Sequence, residues 1–205
     1  MANLITDAQA KTWLDINDTT DDTRISYLTA AASELIRGYC GRSFNIDGAQ
    51  VASARYFTAA AWDAVKIDDC YEVTAVATDD ADDGSYSTVW ATTDYLMLPP
   101  GGQGPYGSTG WPYTAIRAVE SRIFPIWFNR PGVKVTAKWG WSALPSDVTM
   151  AALMLVGEMF RAKAGTFDQY NADGTFTPIR QNRQVRDLLQ KYKTAAAADA
   201  RFWVG

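Results

Sequence analysis

The stretch VTAKWGWSALPSDVTMAALMLVGEMF, Val135–Phe160, decides the fold class. Its first part alternates. Val133, Val135, Ala137 and Trp139 fall on one side, and Lys134, Thr136 and Lys138 on the other, as in a strand with one buried face. Pro145 closes the extended segment, Ser146 is the expected N-cap, and Asp147 favours the positive helix end. From there the period changes to that of a helix, with Val148, Ala151, Ala152, Leu155 and Met159 as its apolar stripe. Arg161 and Lys163 mark the last turn and Gly165 the stop. A strand feeding a helix across so short a connection predicts an α+β chain.

Upstream, Thr6 and Gln9 form a capping box that opens a short helix to about Leu14. A polar turn follows, and Thr19 with Asp22 is the expected cap of a second helix. Ile25, Leu28, Ala32, Leu35, Ile36 and Tyr39 are its predicted apolar face, and Gly41 its terminator. From about Arg55 to Trp141 the signals are strands. YEVTAVAT and YSTVWAT are rich in β-branched and aromatic residues, and Asp83-Gly84 between them predicts a hairpin turn. Thr177-Pro178 opens a last helix with Val185, Leu188, Leu189 and Tyr192 on its apolar side.

The 205 residues carry no histidine and a formal net charge of −4. Lack of histidine removes the commonest general base and zinc ligand. Charge is uneven: residues 1–90 hold six Lys/Arg against fifteen Asp/Glu, and residues 151–205 hold eight against five. Such asymmetry suits head-to-tail contacts between copies. Cys40 and Cys70 have no metal-like or redox-like spacing and are read as reduced thiols rather than a disulfide. The N-terminus has no basic start followed by an apolar core, and the longest apolar run is far too short for a bilayer. A cytosolic product is expected, with no membrane partner.

The apparent motifs fail on their details. Gly102, Gly104 and Gly107 spell GxGxxG, but Pro105 and Pro112 surround them and no helix pattern follows, so the Pro99–Pro112 stretch reads as a long loop of the kind used for contacts. A calcium loop counted from Asp79 has Ala81 at its third position and Trp90 at its twelfth, where oxygen ligands are required. Ser142 has neither a nucleophile elbow nor a histidine, and nothing pairs Asp94 with Glu120. No enzyme activity, cofactor or metal is expected. Arg180, Arg183 and Arg186 recur every three residues on the last helix, with Lys191 beyond; with an acidic chain overall, an acidic protein partner fits this stripe better than phosphate, and a plain solvated face fits it equally well. Arg201, Phe202 and Trp203 follow, and aromatic anchors among charges resemble interface hot spots.

Three segments taken together resemble the head–tail connector, or adaptor, proteins of long-tailed double-stranded DNA bacteriophages. They are KTWLDINDTTDDTRISYLTAAASELIRGYCGRSF, PYTAIRAVESRIFP and VKVTAKWGWSALPSDVTMAALMLVGEMFRAKAG. The resemblance implies a structural virion protein at the head–tail junction, in a homo-oligomeric ring usually of twelve copies. Such a ring bridges the portal protein to the stopper or tail-completion proteins, and DNA passes through it without sequence-specific binding. It also implies a division of the chain. Residues 1–177 would form the connector domain, with helices 7–41 and 146–164 packed as a small bundle and an antiparallel β layer inserted over about 55–141. Residues 178–205 would form a helix and docking arm, with Arg180, Arg183, Arg186, Lys191, Arg201, Phe202 and Trp203 at the partner interface. The competing readings are another connector layer, such as a stopper, and a carbohydrate-binding module, the latter motivated by the eight Trp residues.

Overall fold

The computed structural model describes residues 2–44, 51–162 and 182–194. The chain is mixed α+β and divides into two compact units, one from residues 1–44 and 144–205 and one from residues 45–143. The helical unit contains α1 (Asp7–Leu14), α2 (Asp22–Cys40), α3 (Ser146–Ala162) and α4 (Arg183–Leu189). The sheet unit contains β1 (Ser53–Phe57), β2 (Ala64–Thr78), β3 (Thr88–Trp90), β4 (Tyr95–Leu98), β5 (Tyr113–Ala118) and β6 (Val133–Trp139).

In the helical unit the capping box at Thr6 and Gln9 is complete, and α1 ends where its sequence predicts. Gly41 stops α2 in the left-handed region, which a glycine enters without a Cβ penalty. Two predicted caps are corrected. Asp21, not Thr19, stands at the N-cap of α2 and makes no side-chain cap bond, while the Thr19 carbonyl accepts the Asp22 amide at 3.3 Å. On α3, Ser146 is already the first helical residue, and the Pro145 carbonyl accepts the amides of Val148 and Thr149 at 3.0 and 3.1 Å.

The buried face of α2 is also rotated from the one its apolar residues predict. Ile25, Ala32 and Ile36 are buried, but Leu35 is exposed, and Thr29, Ser33 and Arg37 take inward positions. The reason is the N-terminal segment, whose polar groups need partners once covered. Ser33 Oγ accepts the Leu4 amide at 2.9 Å, Thr29 Oγ1 donates to Asp7 Oδ1 at 2.7 Å, and Arg37 donates to the Ala2 carbonyl. A polar ladder at four-residue spacing therefore ties residues 2–7 to the helix. On α3, Val148, Ala151, Ala152 and Leu155 of the predicted stripe are buried, with Val156 beside them, while Met159 is only half-buried.

In the sheet unit the strand order is β1-β6-β2-β5-β4, all antiparallel, with β3 also paired to β2. One long strand organises it. β6 runs along one side of β2, while β5 and β3 pair with its early and late halves. Register shifts between Lys66 and Cys70, and again between Cys70 and Ala75, mark bulges that bend this strand. β6 alternates as its sequence predicts, with Val133, Val135, Ala137 and Trp139 buried. They join a core that includes Val65, Val76, Ile116, Trp90 and Phe124, the last two stacked with ring centres 4.5 Å apart.

β2 and β3 do form an antiparallel pair, but not through a tight Asp83-Gly84 turn. The connection is a loop over 79–87 built around the buried Asp79 carboxylate, which accepts the Asp83 amide at 3.2 Å and the Gly84 amide at 2.8 Å. A side chain that caps two amides holds open a loop that a two-residue turn would close.

Candidate interaction surfaces

The C-terminal segment carries most of the residues predicted for partner contact. Asn182 caps α4 by accepting the Val185 amide at 3.0 Å, and its amide donates to Glu158 on α3. Val185, Leu189 and Tyr192 are buried. The Thr194 amide donates to the Cys40 carbonyl at 2.9 Å, and Arg42 Nε to the Tyr192 carbonyl at 2.9 Å. The Tyr192 ring meets Phe44 edge-on at 5.8 Å. Residues 182–194 are thus fastened to α2 and α3 by burial and by main-chain bonds.

This sorts the predicted residues. Lys191 pairs with Asp147 at 2.6 Å within the helical unit. Its hydrogen bond to Asp147 holds the ammonium above its ordinary pKa, against the opposing effect of burial. Tyr192 also donates to Asp147, at 3.3 Å; burial and then the Asp147 charge raise its pKa. Arg183 and Arg186 point outward, with Asp187 the nearby carboxylate at 3.6 and 3.7 Å. Arg180, Arg201, Phe202 and Trp203 lie outside the described residues, as does the predicted helix opening at Thr177-Pro178.

The glycine-rich loop is ordered by its own tryptophan. The Gly102 carbonyl accepts the Trp111 amide at 2.9 Å, and the Gly104 amide donates to the Ser108 carbonyl at 2.8 Å. A Cβ on Gly104 would lie 2.2 Å from the Trp111 ring, so no side chain fits there. Trp111 in turn packs edge-on against Trp141 at 5.2 Å. The loop leads into β5 rather than a helix, and its tip presents Tyr106 at 98% exposure. Nothing in this arrangement aims a helix N-terminus at a pyrophosphate, which the dinucleotide motif demands.

A second projecting element was not legible in advance. Residues 119–132 form a strap whose anchors are Phe124 in its stack on Trp90, Trp127 donating to the Asp79 carbonyl at 2.7 Å, and Arg130 bonded to Asp82 at 2.5 Å. Beside these anchors Ile123, Ile126 and Phe128 face outward, Phe128 at 98% exposure. The signal was present as apolar residues between Pro125 and Pro131, but anchors and exposed residues have the same composition there.

Trp90, Trp111, Trp139 and Trp141 are buried, while the strongly exposed Trp13 and Trp62 belong to different units. Within either unit the described residues therefore offer no row of exposed tryptophans for stacking on a sugar. They also hold no group of His, Cys, Asp and Glu suited to a metal ion, and no helix long and apolar enough to cross a membrane.

Residues 6–83, from the α1 cap through the loop after β2, match the family of phage gp6-like head-tail connector proteins. Nearly the whole chain shares its fold with two solved structures. One is a chain from the neck of an empty gene transfer agent (GTA) particle computed with C6 symmetry, 19% identical, with a TM-score of 0.51 over 93% of this chain and 90% of that one. The other is a chain from the virion of a native gene transfer agent particle, 18% identical, with the same TM-score and the same coverage. At these identities the likeness is one of fold. No curated protein matches the chain in sequence.

Proposed function

We infer that this chain is a head–tail connector, a structural protein of a phage-type virion placed at the junction of head and tail. The observation that carries this reading is the connector-family match over residues 6–83. It is supported by a fold shared along 93% of the chain with a component of a particle neck. The family match covers the α1–α2 pair that the sequence singles out and ends before β6 and α3.

In this reading the chain assembles with copies of itself into a ring between the portal protein and the stopper or tail-completion proteins, and DNA passes through without sequence-specific recognition. The helices act as a small bundle into which a β layer, over about residues 55–141, is inserted. The role is mechanical and needs no turnover, cofactor or metal. The partner interface falls to Arg183 and Arg186, which point outward, and to the tail that carries Arg201, Phe202 and Trp203. Electron micrographs of the purified chain mixed with portal-bearing heads test this. A ring seated on the portal is expected, and a chain that neither binds the portal nor forms rings overturns the reading.

A further inference from the structure

α3 is apolar nearly all round; its charged residues are Asp147, Glu158 and Arg161. A helix of that kind is covered on every side in its working state. Val148, Ala151, Ala152, Leu155 and Val156 are covered already. On the opposite side Met150 is 41% exposed, and Leu153 and Met154 are half-buried. Lower on the same side the Trp13 indole lies over Gly157, so the cover stops short of Met150.

α2, which packs on α3, has the complementary peculiarity. Its outward positions Tyr27, Ala31 and Leu35 recur every four residues, and all are exposed, Tyr27 at 72%. A solvated helix face ordinarily carries charges. This one offers an aromatic ring, a methyl and an isobutyl group in a row, with the exposed Glu34 carboxylate at its side. Each strip lies away from its own helix's buried stripe.

Charge follows the same polarity. The turn that leads into α2 exposes Asp15 and Asp18, while α4, packed on α3, exposes Arg183 and Arg186 with Asp187 between them offsetting part of their charge. The α2 side is therefore apolar with an acidic end, and the α3 side apolar with a basic flank. Two different, mutually complementary patches on one chain define a head-to-tail contact, which closes into a ring when the rotation per copy permits.

We propose that the α2 strip of one copy, Tyr27, Ala31 and Leu35, packs on the α3 strip of the next, Met150, Leu153 and Met154, with the Asp15–Asp18 turn against Arg183 and Arg186. The proposal deepens the ring reading and rests on it; it names which surfaces of neighbouring copies meet.

Site-directed crosslinking tests it without weakening the fold, because Leu35 and Met150 are exposed. Cys40 and Cys70 are buried and leave the background clean. The full-length Leu35→Cys/Met150→Cys chain, assembled on portal-bearing heads and treated with a short bismaleimide, should give a ladder of covalent oligomers. Either single variant alone should stay monomeric on a denaturing gel, and an equal mixture of the two singles should stop at dimers. Dimers from a single variant would mean a two-fold contact and overturn the proposal. Rings visible by microscopy without crosslinks would also overturn it, while the ring reading stands. Absence of rings would overturn both.

Discussion

The Arg130 guanidinium stands 3.5 Å from Asp79, whose side chain is fully buried at the head of the 79–87 loop. Burial pushes the Asp79 carboxyl upward, but the amides of Gly84 and Asp83, the Arg130 charge and the Asp82 amide outweigh it, so its pKa lies below the ordinary value. The folded pKa is thus depressed relative to the unfolded one. The loop's stabilisation is complete above the ordinary carboxylate value of about 3.9 and is lost as pH falls through the lower, folded value. Hydrogen exchange should show Asp83 and Gly84 amides protected at neutral pH and down to about pH 4, then opening in more acidic solution before the β6 amides do. Asp79→Ala should abolish that protection at every pH. Equal protection of the two amides in the variant would contradict the capping role.

Leu155 is fully buried on α3, whereas Leu35 on α2 is 37% exposed. Leu155→Ala should cost about 2–5 kcal/mol in chemical denaturation. Leu35→Ala should cost less, on the order of 0.5 kcal/mol. The reverse order would place α2 in the wrong rotation.

Burial pushes both thiols up to about 12. The thiolate is the reactive form, so neither cysteine should react with an alkylating reagent at neutral pH until the chain is denatured, when both should. The sign for stability follows. The folded chain holds these protons above the ordinary thiol value of about 8.5, so their contribution is complete below that pH and declines as pH rises toward about 12. Labelling of native protein at pH 7 would contradict the burial.

The pattern of success in reading the sequence has physical causes. β6 and the core side of α3 were legible because one face of each is uniformly apolar. The α2 face was misread because Thr29, Ser33 and Arg37 are buried for the hydrogen bonds they form with residues 2–7, a long-range need that local periodicity does not carry. The Asp83-Gly84 turn was misread for the same reason, since Asp79 organises the loop from outside it. Among the interface candidates, Lys191 looked no different from Arg183 and Arg186 in sequence; only the fold brings Asp147 to it.

The C-terminal tail is expected to act in attachment rather than folding. Residues 182–194 already seal the helical unit through Val185, Leu189 and Tyr192. Deleting Arg201–Gly205 should leave the melting temperature nearly unchanged and reduce retention on portal-bearing heads. Unfolding of the truncated chain would assign the tail to the core, and attachment equal to that of the intact chain would remove it from the interface.

Electron microscopy of the purified chain mixed with portal-bearing heads tests the connector assignment most directly. The account predicts a closed ring of this chain seated on the portal, with density that fits the α1–α3 helices side by side around the axis. A chain that remains monomeric and leaves the portal bare at every concentration would contradict it.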